Sequence, residues 1–242
     1  MLKELQSFSR NARLFLLSNS IYSLGSGIFY LVFNIYVVEG LSYSEYFLGI
    51  LLSASSFAAA LFSLPAGIIG DRIGRKRCLI GGTAGTAVSM GLLITVESQG
   101  ILVLANALLG FSTTVTYLSF APFMMENTSQ EERVYLFSVN GALATLGLTA
   151  GEFIGGRLPS LFLMERSESL RATLLVSVIL SCAAVLPLLF LTEKRRRTLF
   201  SQKIIRSTSL MKKFLLIQIL VGFGAGLIVP FFNVFFRMKL NL

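Results

Sequence analysis

The chain has no histidine and no tryptophan, only two cysteines, and few charges, with Lys, Arg, Asp and Glu making up 14% of its 242 residues. Each shortage excludes something. Without histidine, and with Cys78 and Cys182 set singly at or inside apolar runs, neither a metal-ligand set nor a disulfide framework is indicated. No glycine loop of the phosphate-cradling kind is present, so ATP-driven chemistry is unsupported. No nucleophile motif points to an enzyme, and no cofactor is expected. A soluble domain carries roughly 25% charge, so the shortfall argues against one.

What is present is apolar. Hydrophobic residues make up 54% and the mean hydropathy is +0.76. Charges cluster in islands between apolar runs of about 20 residues, the length a helix needs to cross a bilayer core. The pattern predicts an all-α membrane protein with seven spans, over 14–38, 46–69, 78–96, 101–125, 134–156, 172–192 and 214–236. The first run extends to Val38 with no small-residue cleavage site, too long for a cleavable signal, and is expected to stay as a span. Ser129 and Glu132 have capping-box spacing just before span 5.

The formal charge of +9 is distributed as membrane topology requires rather than as nucleic-acid binding would. If the N-terminus is cytoplasmic, sixteen of the 21 Lys and Arg fall in cytoplasmic segments and five outside, which is the positive-inside bias. Residues 193–213 are basic with interspersed apolar positions. They read equally as an amphipathic surface helix or as a solvated linker.

The chain also repeats itself. Shifted by 199 residues, 15–34 lies over 214–233 with seven of 20 positions identical, including Gly25/Gly224, Gly27/Gly226 and Asn34/Asn233. Span 7 reads as span 1 begun again. Parallel repeats are a transporter architecture, with the substrate site near the midplane at the repeat interface. The expected organisation is a six-helix bundle over 1–192, a basic cytoplasmic linker over 193–213, and the first helix of an incomplete second bundle over 214–242.

Between spans 2 and 3 lies Gly67-x-x-x-Asp71-Arg72-x-Gly74-Arg75-Lys76. Glycines there let helices approach and the chain turn, and Asp71 and Arg75 are close enough to pair if the helix continues one more turn. This loop resembles the signature of the major facilitator superfamily, whose members have two six-helix bundles around a central cavity and a basic linker between them. The resemblance implies that the aspartate faces a helix N-terminus of the second bundle. It also implies that the arginine pairs with an acid at the end of span 4, here Glu126, so that the loop latches the rocking of the bundles. The plainer reading is that the cations only anchor topology.

Polar residues recur at helical spacing inside two spans: Asn19, Ser23, Ser26, Tyr30 and Asn34 on span 1, and Asn106, Gly110, Thr113 and Tyr117 on span 4. Such side chains face a bundle interior or a water-filled cavity. The resemblance makes these two spans the wall of a transport path, with Asn233 as the repeat of Asn34. Interhelical hydrogen bonding is the simpler account.

In span 5, Gly147, Gly151 and Gly155 form a small-residue seam. The stretch resembles the antiporter motif of that family, with Glu152 where the motif has proline; Asn106 stands where proton-coupled members carry arginine. A carboxylate deep in a span must be paired, protonated or wetted, so Glu152 is either a proton-coupling residue or a partner of Arg157. The expected function is a secondary transporter of a small solute across the cell membrane by alternating access. Its drug-efflux-like, proton-coupled form would have protons and the missing C-terminal bundle as partners. The alternative is a truncated, non-transporting membrane protein or fragment.

Overall fold

The computed structural model describes residues 8–192 and 208–229, with 232, 235, 236 and 239. Among them are seven α-helices: α1 Arg10–Ile35, α2 Glu45–Ile73, α3 Arg75–Thr95, α4 Gln99–Glu126, α5 Arg133–Leu161, α6 Arg166–Leu189 and α7 Thr208–Ile228. A π-helical turn, Tyr36–Gly40, prolongs α1. The first six are long and apolar enough to cross a membrane, so the protein is an all-α, multi-pass membrane protein. Two compact units divide the chain, Met1–Lys194 and Arg195–Leu242. In the second, α7 presents exposed Ile217, Leu220 and Phe223.

The helices outrun the apolar runs that predict them. α5 continues through Arg157 and Pro159 to Leu161, and α6 starts at Arg166 rather than 172. Backbone hydrogen bonding carries a helix on beyond the hydrocarbon core, where apolarity is no longer required. Ser9 caps α1 by accepting from the Ala12 N–H, and Ser44 caps α2 by accepting from Phe47. The Ser129–Glu132 box forms reciprocally, with the Ser129 N–H donating to Glu132 Oε2 at 3.2 Å and the Glu132 N–H to Ser129 Oγ at 3.3 Å. Of the basic segment 193–213, residues 193–207 lie outside the described residues and 208–213 are helical.

Within the first unit the principal neighbours run in the order α5, α1, α6, α3, α4, α2. This arc brings α1 and α4 to face each other across a space that α5 closes on one side. The end of the bundle that carries the α2–α3 loop is sealed. Phe15 packs edge-on against Phe120 at 5.3 Å and lies 5.4 Å from Phe123, amid a cluster with Leu79, Leu136 and Leu188. Below it Asn11 ties three helix ends together: its Nδ2 donates to Asn127 Oδ1 and to the Thr192 carbonyl, both at 2.7 Å, and its Oδ1 accepts from the Thr192 N–H at 3.1 Å.

Candidate functional site

The space between α1, α4 and α5 is a cavity of about 600 Å³. Asn19, Ser23, Ser26 and Tyr30 of the expected span 1 stripe line it, as do Thr113 and Tyr117 of span 4. Helical periodicity places these residues on common faces, and the arc of neighbours turns the two faces toward one another. Further lining residues went unread in the sequence: Tyr22, Thr114, Thr116 and Phe120, and on α5 Asn140. Tyr22 carried a signal, being one turn before Ser26. Asn140 carried a weaker one, as an amide within an apolar run.

The polar groups here are largely spoken for by protein. Asn19 Nδ2 donates to Asn140 Oδ1 at 2.7 Å, joining α1 to α5. Thr113 and Thr114 hydroxyls donate to the Gly110 carbonyl, and Thr116 to that of Ser112. Such back-bonding leaves their lone pairs free to accept. Ser26 differs. It is 4% exposed, and its Oγ meets no partner at hydrogen-bonding geometry although the Tyr22 phenol lies near. Tyr117, by contrast, stands well out into the space, 74% exposed.

The rest of the two stripes goes elsewhere. Asn106 is buried and donates from Nδ2 to the Leu51 carbonyl of α2 at 2.7 Å. One turn on, a Cβ at Gly110 would run into the Ser55 carbonyl. The face of α4 that touches α2 at Asn106 and Gly110 thus opens onto the cavity at Thr113 and Tyr117. Asn34 is buried beyond the cavity lining, and Asn233 lies outside the described residues.

Glycines set the close approach of α1 and α5. A Cβ at Gly151 would meet the Leu24 carbonyl and the Gly27 Cα, one at Gly155 the Ile28 Cα at 3.1 Å, and one at Gly147 the Ser20 carbonyl at 3.1 Å. Glu152 follows the seam and is exposed, one turn past the lining residue Leu148. Arg157 lies over the Phe153 ring, 5.5 Å from its centroid.

In the α2–α3 loop, α2 runs to Ile73 and Arg75 Nη2 donates to Asp71 Oδ1 across one turn. Gly74 joins the two helices at φ 99°, a left-handed backbone that side chains resist. The close approach expected at Gly67 is not found in this bundle, since nothing lies within 4 Å of a Cβ there. Lys76 has a role the sequence did not suggest: its Nζ donates to the Leu189 carbonyl at 3.0 Å, satisfying an orphan acceptor at the end of α6. Arg72 and Glu126 are exposed at the same end of the bundle.

The comparisons with known proteins bear on this arrangement. Over 155 residues the chain is 32% identical to the multi-drug resistance efflux pump PmrA of Streptococcus pneumoniae, a match covering 61% of this chain and 36% of that one. It is 25% identical over 149 residues to the uncharacterized MFS-type transporter YdeE of Escherichia coli, covering 62% and 38%. The chain therefore matches less than two fifths of the length of these curated relatives. The crystal structure of the nucleoside transporter NupG (D323A mutant) superposes with a TM-score of 0.67 at 18% identity, covering 87% of this chain and 51% of that one, a likeness of fold. The family model of the Major Facilitator Superfamily matches residues 15–242, nearly the whole chain, and the protein belongs to that family.

Proposed function

We propose that this chain forms the N-terminal bundle of a secondary transporter that moves a small organic solute across the cell membrane by alternating access, in the direction of efflux. The cavity between α1, α4 and α5 carries this reading. It is about 600 Å³, within the range of small-molecule sites, and combines aromatic faces with a few polar groups. The bias of Lys and Arg supports a cytoplasmic N-terminus, and the efflux pump PmrA among its relatives supports the direction. A second bundle is the expected partner.

In this reading Asp71, Arg72, Arg75, Lys76 and Glu126 hold the cytoplasmic latch, with the Asp71–Arg75 pair one of its states. Glu152 carries the coupled proton, since an exposed carboxylate one turn past the lining residue Leu148 can be wetted in one state and dehydrated in another. The test is accumulation of a fluorescent organic dye in efflux-deficient cells expressing the gene that encodes the chain. Expected is lowered accumulation that a collapsed proton gradient restores, and a Glu152→Gln protein that is made but no longer responds to the gradient. Accumulation equal to that of empty cells would end the transport reading; gradient dependence that survives Glu152→Gln would end the role of that residue.

A further inference from the structure

Resting on the reading of the cavity as a cargo site, its chemistry goes further and specifies the class of cargo. None of its lining residues bears a formal charge. An ion entering such a site gives up hydration with no counter-ion among the lining residues, Glu152 lying one turn beyond them, and tyrosine faces return less to a cation than that costs. The hydrogen-bonding inventory is also lopsided. Thr113, Thr114 and Thr116 have spent their donors on their own helix, so they offer lone pairs and favour a solute that brings an N–H or O–H. Ser26 Oγ, buried on the α1 wall, has the Tyr22 phenol near it but no partner at hydrogen-bonding geometry. An orphan buried hydroxyl in a cavity wall is a place where a ligand's polar atom replaces a missing partner. Across from it stand Tyr117 and Phe120, with ring centroids 5.8 Å apart, a surface suited to a flat ring system.

We propose that the cavity takes an uncharged, flat aromatic solute bearing an N–H or O–H donor, anchored by Ser26 Oγ and stacked against the tyrosines of α1 and α4. The experiment is binding to the purified chain in nanodiscs, with empty nanodiscs subtracted, of four tricyclic probes of one shape. These are acridone, neutral with an N–H; N-methylacridone, neutral without it; N-methylacridinium, a fixed cation; and acridine-9-carboxylate, an anion.

Saturable binding of acridone is expected, weakened about five- to tenfold by Ser26→Ala, the worth of one hydrogen bond. N-methylacridone should bind more weakly and be indifferent to that substitution. Because Ser26→Ala removes a hydroxyl without a partner, its thermal stability should equal or exceed that of the parent. Tyr117→Leu, at an exposed side chain, gives a second variant expected to weaken acridone without unfolding the protein. Equal or tighter binding of either charged probe overturns the proposal, as does acridone affinity untouched by Ser26→Ala, or no acridone binding by folded protein. Transport is read separately. Acridone binding without dye export leaves the cargo class standing and sinks the transport reading; export of a cationic dye by a chain that ignores acridone does the reverse.

Discussion

Two faces of α1 carry the same chemistry and come to different ends. Toward α6, Ser18 donates to the Ala184 carbonyl at 2.6 Å and Gly25 lies against Ser177 and Leu180. Ser169, Thr173, Ser177 and Ser181, one turn apart along α6, are all at most 2% exposed. Toward α4, Asn19, Ser23, Ser26 and Tyr30 line the cavity, the first three buried in its wall and Tyr30 exposed. Both faces are polar stripes at helical spacing. What separates them is the size of the residues opposite. Small hydroxyls and alanines on α6 let two backbones close up, while Tyr117 and Phe120 on α4 hold a gap. Polarity in a span thus marks a protected face, and the partner decides whether that face becomes a seam or a cavity.

Substitutions that trade the two outcomes test the comparison. The largest effect is expected at the α1–α5 seam. Gly151→Leu puts a side chain into the Leu24 carbonyl, where overpacking costs about 3 kcal/mol or more because the backbone cannot give way. It should abolish a monodisperse folded peak in detergent chromatography. Gly141→Leu, in the cavity wall with nothing within 4 Å, should keep that peak. Equal behaviour of the two would erase the distinction between seam and wall.

Next comes Ser177→Leu on α6, at a fully buried position against α1, with an expected loss of about 1–3 kcal/mol. Thermal unfolding is conveniently followed by thiol labelling of buried Cys78 in a Cys182→Ser background, since Cys182 is exposed. Asn106→Leu should cost less, about 0.6–1.7 kcal/mol, by removing the interhelical donor to the Leu51 carbonyl. Its removal at no cost would take Asn106 out of the packing set.

The smallest stability effect belongs to the cavity face. Thr113→Val removes a hydroxyl bonded only within its own helix and should shift stability by no more than about 0.5 kcal/mol. A drop as large as that of Ser177→Leu would show this face to be packed rather than open.

The two ends of the α2–α3 loop sharpen the same contrast between local and tertiary causes. Gly74 was legible as a required glycine because a helix must end and another begin within one residue, and its φ of 99° bears the requirement out. Gly67 looked alike in sequence, yet no neighbour in this bundle needs its missing Cβ. The span stripes behaved similarly. Asn19 and Asn106 sit in comparable patterns, but one bonds an amide across the cavity wall and the other a backbone carbonyl across a helix crossing. Spacing reports the face of a helix, not what stands opposite. Tyr22 and Asn140 were missed for the same reason: an isolated polar residue acquires meaning only from its neighbours on other helices.

The sequence alone determined that this is a multi-pass helical membrane protein, the approximate course of its helices, that 214–233 is similar in sequence to 15–34, and which family its loop signature resembles. Those features depend on hydrocarbon solvent, on the 3.6-residue period and on local turn geometry, all of which act within a single segment. Only the tertiary structure decided that α1 faces α4 across a cavity while its other side closes on α6. It also decided that Asn106 is bound to α2 and that Ser26 is left without a partner. Those outcomes depend on the shapes of residues far apart in the chain, because close packing is a property of pairs of surfaces and no one segment contains both.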